Sequence, residues 1–221
     1  MATIASATFT VGSDTALSSY TPDVGTGWSL EAAQFTVVAA TDDCRHNGGS
    51  LNRAREGTTV GADQMNIQAD CKVGAATTRR AGVCGRMTTA DYTNQFEAYL
   101  QGTAGGTTVD VFLFKNVAGT RTQLGTSNQT LGSGVYATVR LEIGKGSQVV
   151  KFNGATVITG AEADSTLSGN FYAGIIMQGL GEATTRVENF LSESVSVDPA
   201  IYTGAIGQLS ASSGMVGVIN V

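Results

Sequence analysis

Only a few positions in this 221-residue chain combine residue types at spacings that chemistry can use. Glu162 and Asp164, in GAEADST, stand at i and i+2, the separation that on a strand sends two carboxylates to one side, as glycoside hydrolysis requires. The surrounding residues read as a turn, no third acidic residue accompanies the pair, and Asp164 is expected to cap that turn through a side-chain to backbone bond. His46 is the single histidine and follows Cys44 by two residues in TDDCRHNGGS, a Gly- and Asn-rich stretch. A Cys-His dyad needs groups distant in sequence to converge, so this stretch reads as a solvated loop. Cys44, His46, Cys71 and Cys84 make a formal three-cysteine, one-histidine set, but no two have the close spacing of a structural zinc site. Asp42, Asp43 and Asp63 are the acids available to a calcium ion, without a recognisable loop motif. The expectation is a protein that is not an enzyme, with no catalytic residue, no cofactor and no metal.

Six of the nine arginines, Arg45, Arg53, Arg55, Arg79, Arg80 and Arg86, fall in one short segment. Gathered on a surface, they would dock an acidic protein or an anionic glycan, because a guanidinium meets a carboxylate through two parallel bonds. Arg45, His46, Arg53 and Arg55 are the candidate docking patch. Scattered among Asp42, Asp43, Glu56, Asp63 and Asp70, the same residues would be ordinary solvated turn and edge charges, and both readings stay open. Trp28, Tyr92, Tyr99 and Tyr136 have rings that stack on sugars, although aromatics of a sandwich more often belong to its core. A net charge of −5 and a pI near 4.8 argue against a nucleic-acid partner held through phosphates. No run approaches the about 18 apolar residues of a membrane-spanning helix, so no membrane partner is expected.

The elements that must position these residues are strands. In VRLEI, Val139, Leu141 and Ile143 fall on one face of an extended chain and Arg140 and Glu142 on the other. Lys145-Gly146-Ser147 reverses the chain into QVVKF, and Asn153-Gly154 predicts a two-residue type I′ hairpin into ATVIT, with Val150 and Phe152 on one core face. Further strands are predicted at Ile4–Val11, Gln34–Ala40, Asn94–Gln101, Thr108–Asn116, Arg121–Gly125 and Thr185–Val195. MNIQADCKV and RAGVCGRM read as one more hairpin, in which Cys71 and Cys84 are either cross-strand partners or free buried thiols. TVDVFLF is apolar on both faces, as a central strand between two packed layers would be. No helical period is sustained. Glycine at 29 residues against two prolines suits many short strands joined by tight turns.

Taken in order, Trp28 to Phe35, RRAGVCGRMTTADYTNQFEAYL, VFLFKNVAGTRTQL, the YATVRLEIGKGSQVVKFNG meander, ADSTLSGNFYAGI and RVENF resemble the concanavalin A-like lectin/glucanase sandwich, a laminin-G-type jelly roll. The resemblance implies an all-β, two-sheet antiparallel jelly-roll sandwich over residues 1–197. It does not imply a ligand, since this fold hosts lectins, glycosidases and inert spacers. Glucanases of the fold present two carboxylates at alternating positions of one strand, and no strand predicted here does so.

Residues 198–221 read as an extended apolar C-terminal arm. From Pro199 onward there is no charged residue, yet the segment holds Ile201, Tyr202, Ile206, Leu209, Met215, Val216, Val218, Ile219 and Val221. Such a strip needs cover, and these nine side chains are the candidate assembly interface, or else a last strand or two folded back on the domain. With the lysine-poor composition and an N-terminus that shows no secretory leader, the chain resembles a structural protein of a tailed-phage virion, made in the host cytoplasm. Capsid decoration or a tail or fibre accessory would be its role, with other virion proteins and copies of itself as partners. The alternative is a lectin-like module recognising cell-surface glycans.

Overall fold

The computed structural model describes residues 1–62, 64–88, 91–144, 146–162, 167–179 and 183–195. Asp63, Asp164 and the whole 198–221 segment, with the nine apolar residues assigned to assembly, lie outside the described residues. In chain order the strands are β1 (Ala2–Ala7), β2 (Thr15–Ala16), β3 (Trp28–Leu30), β4 (Phe35–Val38), β5 (Asp43–His46), β6 (Asn52–Glu56), β7 (Met65–Lys72) and β8 (Arg80–Met87). They continue as β9 (Gln95–Gly102), β10 (Thr108–Val117), β11 (Thr120–Thr130), β12 (Ala137–Gly144), β13 (Ser147–Phe152), β14 (Ala155–Gly160), β15 (Tyr172–Gln178) and β16 (Arg186–Ser194). A 3-10 turn at Leu17–Ser19 is the one helical element among the described residues, and no helix there is long and apolar enough to cross a membrane.

Two antiparallel sheets result. One is nine-stranded, in the order β14-β13-β12-β7-β16-β5-β4-β2 with β1 also paired to β16; the other is seven-stranded, β11-β10-β9-β8-β15-β6-β3. Alternation drives both. On β12, Ala137, Val139, Leu141 and Ile143 are buried, and Val139 and Leu141 sit opposite Ala69 and Ile67 of β7. Phe96, Ala98 and Leu100 of β9 and Val109, Val111 and Leu113 of β10 belong to the same core cluster as those residues. Each large apolar side chain so buried contributes about 1.5–3 kcal/mol, which closes the two sheets face to face. The β13–β14 turn is as expected: Asn153 and Gly154 take φ of 47° and 83°, and Val150 and Phe152 both enter the core.

The structure corrects three readings. The segments MNIQADCKV and RAGVCGRM are not a hairpin: β7 and β8 lie in different sheets, and Cys44, Cys71 and Cys84 are all free and buried. Burial pushes the Cys71 and Cys84 thiols well above their ordinary range, so none is poised as a nucleophile. Asp43 to His46 is strand β5 rather than a solvated loop. Asp43 is fully buried against Arg186 Nε at 3.1 Å and Lys72 Nζ at 3.7 Å and accepts a hydrogen bond from Tyr136 Oη at 2.9 Å, while the His46 ring packs 4.8 Å from that of Phe35. Neighbouring strands neutralise its charge, so this strand carries no apolar alternation to read. Finally, β10 is second from its sheet edge, and its doubly apolar sequence arises because Phe112 and Phe114 form part of a separate cluster on the face turned away from the core.

Candidate functional site: the outer face of the seven-stranded sheet

Because side chains alternate along a strand, the core-facing Phe96, Ala98 and Leu100 of β9 send Gln95, Glu97, Tyr99 and Gln101 to the outer face. Strand register then sets their neighbours. One row across the sheet runs Arg53, Ile176, Gly82, Tyr99, Phe112, and the next runs Arg55, Gly174, Cys84, Glu97, Phe114. Side chains at Gly82 and Gly174 are excluded by sterics, since a Cβ would strike Tyr99 Cα and Ala98 O in the first case and Ala54 O and Arg55 Cα in the second. The middle of the face is therefore low, two buried glycines beside the buried side chains of Ile176 and Cys84.

Around it lies an aromatic strip. The Tyr99 and Phe114 rings are nearly parallel, at 5° and 5.8 Å between centroids, and Phe112 lies 5.5 Å from Tyr99 and 5.8 Å from Phe114. Half-buried Tyr92, Tyr172 and Leu51 pack with Phe112 and Phe114 against buried Cys84, Met87 and Ile176. This second apolar cluster is separate from the core between the sheets, and its outer rings are only partly covered.

A carboxylate lies beneath the strip. Glu97 is fully buried; its Oε1 accepts from Arg53 Nε at 2.9 Å, Arg53 Nη2 at 2.6 Å and Gln95 Nε2 at 2.9 Å, and its Oε2 from Arg121 Nε at 2.9 Å and Nη2 at 2.7 Å. Burial is the largest single influence and would lower the Arg53 and Arg121 pKa values, but the charge and hydrogen bonds of Glu97, with those of neighbouring groups, together outweigh it and hold both above the ordinary value. Arg53 also donates to Glu31 at 3.2 Å, while Arg121 donates to Tyr99 Oη at 3.1 Å and lies 4.2 Å over the Phe114 ring. Burial raises the Tyr99 pKa, so its hydroxyl stays protonated. Five donors from Arg53, Gln95 and Arg121 occupy both Glu97 oxygens, and β9 carries no second carboxylate. Two buried amide oxygens beside it, Gln95 Oε1 and Asn116 Oδ1, accept no bond among the described residues.

The residues singled out from sequence are distributed differently. Arg53 and Arg55 stand on β6 at this face, and Arg80 joins them from β8. Arg45 and His46 belong to β5 in the other sheet, where Arg45 meets Asp14 at 3.8 Å and His46 is 1% exposed, so the four do not form one patch. Tyr92 and Tyr99 reach the face. Trp28 is core, edge-on to Phe190 at 5.1 Å, and Tyr136 bonds Asp43 on the nine-stranded sheet. Glu162 forms an ion pair with Lys115 at 2.5 Å. Among the described residues no three His, Cys, Asp or Glu side chains gather to hold a metal. Phe112, Phe114, Glu97 and Arg121 escaped sequence reasoning; the doubly apolar TVDVFLF was their one visible signal.

No family model and no curated protein matches the chain. Solved structures do. The carbohydrate-binding module CBM66 from Bacillus subtilis superposes with a TM-score of 0.56 at 14% identity, over 77% of this chain and 97% of that one. The concanavalin A-like jelly roll is the fold of this chain. The Bacteroides ovatus xyloglucan PUL protein GH43B is similar to this jelly roll with a TM-score of 0.57 at 13% identity, over 89% of this chain but only 40% of its own length. The exoplasmic/lumenal domain of VIP36, solved with Ca2+ and Man3GlcNAc bound, gives 0.51 at 9% identity, over 77% of this chain and 84% of that one.

Proposed function

We propose that the protein is a non-enzymatic carbohydrate-binding module whose site is the outer face of the seven-stranded sheet. One observation carries this reading: a partly exposed aromatic pair, Phe112 and Phe114, packed on buried Tyr99 and set among hydrogen-bonding side chains on a sheet face that the core does not use. A sugar ring has C–H bonds on its faces and hydroxyls at its rim, so aromatic rings take the former while guanidinium and amide groups take the latter. Similarity in fold to a carbohydrate-binding module and to a glycan-bound lumenal domain supports the same reading. Glu97, tied to two arginines, supports binding over hydrolysis. A glycan array followed by affinity electrophoresis tests the assignment: Phe112→Ala and Tyr172→Ala should each abolish retardation by a ligand found on the array without lowering the melting temperature by more than a few degrees. Retardation unchanged in both variants would rule out this face.

A virion structural role is the second reading, and its support is the uncharged apolar segment from Pro199 to Val221. The aromatic face and the fold neighbours favour glycan recognition over it. Quantitative mass spectrometry of purified particles, reading copies per virion, is the measurement that would restore it to first place.

A further inference from the structure

We infer that the ligand of this face is an acidic saccharide, recognised through carboxylates by Arg55 and Arg80; the inference rests on the glycan-binding reading above. The argument is one of charge left over. Glu97 and Glu31 are occupied by Arg53 and Arg121. Arg55 and Arg80 have no carboxylate partner among the described residues, although the whole chain carries a net −5. Both are nonetheless held in place. Arg55 donates to Thr88 O at 3.2 Å and Ser29 Oγ at 3.3 Å and lies 4.6 Å over the Tyr172 ring, and Arg80 Nε donates to Gln101 Oε1 at 2.8 Å. A guanidinium stacked on an aromatic and fixed by neutral acceptors keeps its full charge and further donors for an incoming carboxylate.

Register gives the spacing. Arg55 is level with Gly174 and Arg80 with Gln178, four residues along β15, on strands that flank it. At ~3.3 Å per residue and ~4.8 Å between strands, their backbones are roughly 16 Å apart across the centre of the face. That span fits an oligosaccharide carrying carboxylates on separate rings, with the intervening ring over Ile176 of β15, and not a single sugar.

Affinity electrophoresis in polygalacturonate, dextran sulfate and neutral xylan, using the full chain, tests this. The expected result is retention by polygalacturonate that weakens with salt, at least tenfold weaker binding in Arg55→Gln and in Arg80→Gln, and unchanged melting temperatures. A galacturonate oligosaccharide should compete and the monosaccharide should not. Retention by xylan that both variants preserve would overturn the acidic-ligand inference while leaving glycan binding intact. Equal retention by dextran sulfate would show that charge alone is read and would overturn the carboxylate assignment. Failure to bind any glycan on an array would overturn both readings together.

Discussion

Arg53 approaches Glu97 with Nε and Nη2 both on a single carboxylate oxygen, at 2.9 and 2.6 Å, which leaves the second oxygen to Arg121. One fully buried carboxylate thereby holds two arginines from strands on either side of β9 in the outer face. Removing it should be costly. Glu97→Ala leaves buried Arg53 with Glu31 alone and half-buried Arg121 with no carboxylate, and is expected to destabilise by ~3–5 kcal/mol, read as a lowered urea midpoint. A midpoint within error of the parent would mean that the network is not formed as described.

Acid should weaken the protein through its one histidine. Burial against Phe35 depresses the His46 pKa below the ordinary 6.5 of histidine, more than the Gly48 backbone raises it, and Asn52 Nδ2 lies 3.0 Å from Nε2. A lowered folded-state pKa means that the unfolded chain binds the proton more readily. The stabilising contribution is thus present above pH 6.5 and is lost as pH falls through the folded value. Melting temperatures measured downward from pH 7.5 should decline below that point, and the decline should flatten in His46→Gln; identical profiles for the two proteins would exclude His46 as its source.

Gly154, at φ of 83°, occupies the second central position of the β13–β14 turn. A β-branched residue resists that conformation, so Gly154→Val should cost ~1–2 kcal/mol, against little change for Asn153→Gly. Thermal denaturation of the two variants makes the comparison, and a Gly154→Val protein as stable as its parent contradicts the turn type.

Among the described residues the last strand of the core is β16, which ends at Ser194. Truncation after Asp198 is therefore expected to leave a folded domain with an unchanged melting temperature that has lost self-association, as seen by light scattering. Burying four of the nine apolar side chains of Pro199–Val221 would supply ~6–12 kcal/mol before ordering costs, enough to decide assembly. Unfolding on truncation would instead assign the segment to its own core, and unaltered association would make it incidental.

Where neighbours in sequence decide the outcome, the residues alone were sufficient. The alternation in Val139, Leu141 and Ile143, the Asn153-Gly154 turn and the strands over 95–102, 108–117 and 186–194 follow from local periodicity and backbone preference, and with them the jelly-roll class. Tertiary structure decided everything that depends on which strands lie side by side. Asp43 is legible as a strand residue only once Arg186 and Lys72 arrive from β16 and β7. Cys71 and Cys84, 13 positions apart in the sequence, part company because the chain changes sheet between β7 and β8. The aromatic face is the clearest case: Tyr99, Phe112 and Phe114 each read as core, since burial on either side of a strand leaves the same apolar letter, and only the register that sets them beside Arg53, Arg121 and Glu97 shows that they face outward.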